Sequence, residues 1–163
     1  MKILSIMPAS YPIYAMVEKI FSNLGCECSN IDYRAILKKW EVRINTQMFR
    51  FPDKVRIQWE KYFLKKINKW YCDQIARQKP DIIFVYNNEM LLPATLKKTK
   101  AQNKKILFYL GDNPLFTPTS RYNLEILKYA DAIFVPDTFW KMQLNKTGLS
   151  KVHYLLLPLP EDR

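Results

Sequence analysis

The sequence predicts an α/β fold, a Rossmann-like three-layer sandwich around a mainly parallel six-stranded sheet. Three observations predict it. Apolar runs of strand length alternate with amphipathic stretches, the pattern that right-handed βαβ crossovers produce. Most of the runs are apolar throughout rather than at every second residue, as strands covered by helices on both faces are. Glycine, carboxylate, amide and proline residues gather just after the runs, at the strand ends where ligands bind in open α/β sheets. The expected strand order is 3-2-1-4-5-6, with the sheet reversing direction between strands one and four.

Residues 2–7 (Lys-Ile-Leu-Ser-Ile-Met) read as the first strand. After the loop Pro8-Ala9-Ser10-Tyr11-Pro12, the residues Ile13, Val17, Ile20, Phe21 and Leu24 recur at helical spacing, and Gly25 closes that helix. A short second strand covers 27–31 and ends at Asp32-Tyr33-Arg34; residues 35–40 hold one or two helical turns. Pro52-Asp53 opens a long helix, because proline suits a first helical position and an acid suits the first turn. Val55, Trp59, Phe63, Ile67, Trp70 and Tyr71 form its apolar face. Lys54, Lys61, Lys65 and Lys69 form a second stripe, readable as a solvated surface or as a face for anions.

Lys79-Pro80-Asp81 ends this helix and opens the third strand, 82–86, followed by Asn87-Asn88-Glu89. A short helix over 91–100 leads to the fourth strand, 106–110, which stops at Gly111-Asp112-Asn113-Pro114. Residues 121–129 are helical and 131–135 form the fifth strand. Pro136-Asp137-Thr138 leads into a helix that Gly148 ends, and 152–156 form the sixth strand. Residues 1–157 make one domain, and Pro158 and Pro160 mark 158–163 as the start of a hinge to a second domain.

Lysine and arginine number 26 against 15 acids, a formal charge of +11 in 163 residues, which favours anionic partners. The aromatics fall in strands or on the buried faces of helices, which argues against nucleic acid. An acidic membrane surface, met through the lysine stripe, and a phosphorylated ligand are the anionic partners left open. Cys26, Cys28 and Cys72 have no zinc spacing and read as reduced thiols of a cytoplasmic protein. The first βα loop has no glycine, so neither a dinucleotide fingerprint nor a P-loop is present, and no cofactor or metal is expected. His153, the only histidine, sits inside a predicted strand and reads as structural.

What remains for chemistry is carboxylates and amides at strand ends. Asp112 is the candidate general base towards a hydroxyl. Ser10, Tyr11, Asn87, Asn88, Glu89, Gly111 and Asn113 are the candidate substrate-binding residues, their amides suited to polyhydroxylated ligands. Gly111 follows no helical pattern, so it serves a positive φ or a close backbone approach. A plainer reading makes Asp112 and Asp137 helix caps, and it is the preferred one for Asp137.

The order of four phrases resembles a known family: a glycine-free first loop, Lys79-Pro80-Asp81-Ile82-Ile83-Phe84-Val85, Tyr109-Leu110-Gly111-Asp112-Asn113-Pro114 and Ala130-Asp131-Ala132-Ile133-Phe134-Val135. With Gly148, Val152 and Leu157-Pro158 after them, they resemble the amino-terminal half of GT-B glycosyltransferases, of the CgeB-like or family-four-like kind. The resemblance implies an acceptor-side domain, which works on a sugar or glycan acceptor while a missing second domain holds the nucleotide-sugar. Only Asp112 matches closely enough to inherit a role. Two other readings stand beside this one: a non-catalytic Rossmann-like module for an anionic ligand or protein partner, and a peripheral membrane adaptor.

Overall fold

The computed structural model describes residues 1–116 and 122–157. Its sheet holds six parallel strands: β1 (Lys2–Ile6), β2 (Glu27–Ile31), β3 (Ile82–Tyr86), β4 (Lys105–Tyr109), β5 (Ala132–Val135) and β6 (Val152–Tyr154). The fold class is therefore the one the sequence predicts. The order is β2-β1-β3-β4-β5-β6, which corrects the expected 3-2-1-4-5-6. β3 lies between β1 and β4, and β2 is the edge. The residues explain this: β2 reads Glu-Cys-Ser-Asn-Ile, too polar for a strand covered on both faces, whereas β3 reads Ile-Ile-Phe-Val-Tyr. Asp81 fixes β3 in the centre, since its carboxylate accepts from the Lys2 amide at 2.8 Å while its carbonyl accepts from the Lys105 amide at 3.2 Å. The sheet thus reverses direction between β1 and β3.

Six helices flank the sheet in the described residues: α1 (Pro12–Asn23), α2 (Lys39–Gln47), α3 (Asp53–Gln78), α4 (Pro93–Ala101), α5 (Asn123–Leu127) and α6 (Thr138–Lys146). Short 3-10 turns at Tyr33–Ile36 and Met48–Arg50 complete the stretch between β2 and α3. Gly25 and Gly148 take positive φ, +73° and +88°, just past α1 and α6, as helix-ending glycines do. Arg121 and the proposed hinge at 158–163 lie outside the described residues.

Alternation along the strands builds two cores. Leu4, Ile6, Ile83, Val85, Ile106 and Phe108 face α3, where Phe63, Ile67, Tyr71 and Ile75 are buried, together with Leu96, Ile126 and Leu144 from the later helices. Ile3, Met7, Phe84 and Tyr109 face the other way, onto Val17 and its neighbours on α1. Only the second part of α3 shares the first core. Val55 is exposed and Trp59 half-buried, and Trp40, Phe49, Phe51 and Tyr62 are exposed as well. That corrects the expectation of one continuous buried face and of aromatics kept inside.

The overhanging start of α3 is tied to α2 through Glu41, which is fully buried. Its carboxylate accepts from the Lys66 ammonium at 2.6 Å, the Lys38 amide at 2.8 Å and the Tyr62 hydroxyl at 3.2 Å. Lys66, with help from the Lys38 amide, holds the Glu41 carboxyl below its ordinary range. A depressed folded-state pKa contributes stability above the unfolded value that is lost as pH falls through the folded one. Glu41→Gln should therefore lower stability by about 2 kcal/mol at neutral pH. The gap between the two proteins should close in acid, as read by denaturant titrations across pH.

Candidate functional site

The loop after β3 is the most strained backbone near the sheet's carboxyl edge. Asn87, Glu89 and Met90 all take positive φ, at 56°, 40° and 59°, and none is glycine. Such residues cost about 1 kcal/mol or more each and persist only where neighbours over-determine them. Here α3 does so. Asn68, buried in mid-helix, donates to the Met90 carbonyl at 2.8 Å and to Leu64 at 2.9 Å. Its own carbonyl accepts from the Leu92 amide at 2.8 Å and the Thr95 hydroxyl at 2.7 Å, so the side chain is saturated. The Tyr71 hydroxyl, also buried, donates to the Glu89 carbonyl at 2.9 Å.

Held this way, Asn87 reaches across to the loop after β4. Its side-chain oxygen accepts from the Gly111 amide at 2.8 Å and the Asp112 amide at 3.1 Å, while its nitrogen donates to the Asp112 carboxylate at 2.9 Å. Asp112 is exposed and its side chain caps no described helix; Asp137 does cap α6, accepting from Phe139 and Trp140 at 2.7 and 3.0 Å. Gly111 is a close-approach glycine, and a Cβ there would collide with the Tyr86 hydroxyl and ring. What approaches is thus a side chain of the protein. The Tyr86 ring stacks on Tyr109 at 6.1 Å and meets Tyr11 edge-on at 6.0 Å. Burial, and then the charge on Asp112, push the Tyr86 hydroxyl up to about 12, so it keeps its proton and can donate.

Glu89 lies on the other side of this loop with only 8% of its surface exposed. Arg34 bridges its carboxylate to Asp32, at 2.9 Å to each, and stacks over Tyr33. Asp32 in turn accepts from the Ala9 amide at 3.2 Å, which ties the first loop, with Ser10 and Tyr11 exposed on it. Burial pushes the Glu89 carboxyl up, against the pull of Arg34. Asn88 donates to the Asn123 side chain and accepts from the Met90 amide at 3.1 Å. Beside it, Asn87, Asn88, Asp112 and Asn123 line a cavity of about 30 Å³, large enough for about one water. Asn113 points elsewhere: it is buried, donates to Gln143 on α6 at 3.2 Å and accepts from the Leu115 amide at 2.9 Å.

The structure thus gathers Tyr11, Asn87, Gly111 and Asp112 around Tyr86, sets Glu89 behind them in an ion-paired cluster, and turns Asn113 towards α6. Sequence reasoning missed Tyr86, Asn68, Tyr71 and Arg34. A polar Asn68 on the core face of α3 was the available signal for the mooring. Among the described residues, no group of three or more histidine, cysteine or acidic side chains could hold a metal ion.

No family model matches the chain, and no curated protein matches it. Solved structures do. A chain from Listeria monocytogenes assigned as a UDP-N-acetylglucosamine 2-epimerase is 18% identical over 93% of this chain and 44% of its own, with a TM-score of 0.62. S. aureus MnaA with UDP gives 16% identity, 93% and 42% coverage and a TM-score of 0.62. The Neisseria meningitidis UDP-GlcNAc 2-epimerase bound to UDP-GlcNAc gives 14%, 94% and 45%, and 0.63. These neighbours have a GT-B-like fold, and at such identities the likeness is one of fold. The chain spans less than half the length of each.

Two substitutions check the geometry. Asn68→Leu should cost about 3 kcal/mol, because it strands the Met90 carbonyl, the Leu92 amide and the Thr95 hydroxyl, and hydrogen exchange at residues 87–92 should rise. Gly111→Ala should cost about 2 kcal/mol, most of it recovered in a Tyr86→Ala background. Additive losses in that double-mutant cycle would refute the close contact.

Proposed function

We propose that this domain is the acceptor-side half of a nucleotide-sugar enzyme of GT-B type, which moves a sugar from a nucleotide-sugar to a hydroxyl acceptor. One observation carries the reading. Asp112 presents an exposed carboxylate at the sheet's carboxyl edge, oriented by Asn87 and near Tyr86, whose ring Tyr11 meets edge-on. The general resemblance to nucleotide-sugar enzymes of GT-B-like fold supports it. In this role Asp112 takes the acceptor's hydroxyl proton as that oxygen bonds to the anomeric carbon, and the nucleoside diphosphate leaves with the electrons of the broken C–O bond. Tyr11 offers a ring face to a sugar, and the Tyr86 hydroxyl a hydrogen bond. Asn88, Glu89 and Arg34 keep the loops in place around the acceptor, and Ser10, at the rim, adds a hydroxyl.

Donor binding falls to a second domain, since the first loop here has no glycine with which to cradle a diphosphate. Transfer needs donor and acceptor in line, which one wall of a cleft does not supply. The 163-residue chain alone should therefore neither hydrolyse nor tightly bind UDP-sugars in calorimetry. Joined to a donor-binding half, it should release nucleoside diphosphate with transfer to an acceptor, and Asp112→Asn should lower turnover about a hundredfold with the fold intact. Inversion of a sugar centre with no acceptor consumed, seen by NMR, would replace transfer with isomerisation. Turnover by the lone chain would overturn the half-enzyme reading.

A further inference from the structure

A group of exposed apolar side chains lies away from this site, on α2, the 3-10 turn after it and the first turns of α3. Phe49 is 69% exposed, and Trp40, Phe51, Val55 and Tyr62 are each exposed by a third or more. Trp40, Met48, Val55, Trp59 and Tyr62 line an open groove of about 680 Å³ in it. Soluble domains seldom leave so many large apolar side chains together in water, and such patches mark interaction surfaces.

The charge around the patch is one-sided. Between residues 38 and 69 stand ten lysines and arginines and three acids. Of those acids, Glu41 is buried against Lys66, Asp53 is paired with Arg56 at 2.8 Å, and Glu60 is half-buried. Lys38, Lys39, Arg43, Arg50, Lys54 and Lys61 are exposed. So an apolar, aromatic-rich face is bordered by cations with little acid to offset them. No described helix is long and apolar enough to cross a membrane.

We propose that this face docks on an acidic lipid bilayer, with Trp40, Phe49, Phe51 and Tyr62 entering the headgroup boundary and the bordering cations on anionic headgroups. Interfacial segments have this composition, apolar and aromatic on one side and basic at the flanks. A second copy of the chain fits poorly, because it would bring two such cationic borders together. Nucleic acid fits poorly too: bases would stack on the rings, but Val55 and Met48 offer no stacking face, while acyl and glycerol carbons suit all of these side chains. The inference does not depend on the proposed sugar transfer.

The test uses the purified chain and sedimentation with phosphatidylcholine vesicles, with and without phosphatidylglycerol. The expected result is binding to the acidic vesicles, at least about tenfold weaker to neutral ones and weaker again in high salt. Phe49→Ser with Phe51→Ser should cut binding about tenfold, and so should Lys54→Glu with Lys61→Glu. All four positions are exposed, and circular dichroism checks that the variants stay folded. Brominated acyl chains should quench tryptophan fluorescence, and Trp40→Phe should remove most of that quenching while leaving binding in place. Four results would overturn the proposal: no binding to acidic vesicles; binding that ignores the phenylalanines; tighter binding to a single-stranded oligonucleotide or to polyglutamate; and a dimer that the Phe49 and Phe51 changes abolish.

Discussion

The candidate site depends on one buried amide. Asn68 fills all four of its hydrogen-bonding positions, three of them with partners in the strained loop or the first turn of α4. Without that saturation, three positive-φ residues in a row of four would relax, at a gain of several kcal/mol. With it, Asn87 stands where its amide can hold both Gly111 and Asp112. A helix thus fixes a loop, the loop fixes an amide, and the amide aims a carboxylate. Each link is a hydrogen bond of 2.7 to 3.1 Å, within the range of well-formed bonds.

The phrases that suggested a family turn out to have structural work at their starts. Asp81 and Asp131 each precede an apolar strand, and each accepts from the first amides of a neighbouring strand: Lys2 on β1 for Asp81, Ile106 on β4 for Asp131. Lys100 binds Asp131 at 2.7 Å, and despite the burial of the group its carboxyl is held below the ordinary range. These acids close the amino ends of a parallel sheet, where strand amides would otherwise lack partners. Such a device suits many α/β sheets, so the two phrases bear on fold more than on chemistry. The Gly111-Asp112 turn differs, because its glycine answers to Tyr86 and its acid to Asn87.

Fold class, element order and most element boundaries were legible in the sequence, because periodicity and caps are local signals. The strand order was not, although the polar β2 against the apolar β3 carried it. Reading β2 as an edge strand would have put Asn87, Asn88 and Glu89 at the reversal point between β1 and β3. Site residues at strand ends were found by type, and Asp112 and Asn87 do meet. Where each amide points was not legible: Asn113 turns to Gln143, because a partner 30 residues on decides it. Tyr86 looked like a strand residue, and only the missing Cβ of Gly111 shows what it packs against.

Helix α3 explains the remaining misreading. Its 26 residues extend roughly 39 Å, whereas the five-residue strands beneath it extend roughly 17 Å. A helix that long cannot lie wholly on the sheet. From Phe63 onward it supplies Phe63, Ile67, Tyr71 and Ile75 to the core, and the turns before Phe63 overhang, braced by α2 where Tyr62 and Lys66 meet Glu41. Periodicity shows an apolar stripe along the whole helix but not where the sheet beneath it ends, so Val55 looked as buried as Ile67. The same rod therefore carries an uncovered apolar face at one end and, some three turns later, the Asn68 and Tyr71 that moor the site loop. The packing of α3 on the sheet sets its position, and through Asn68 that position is the reference from which Asp112 is aimed.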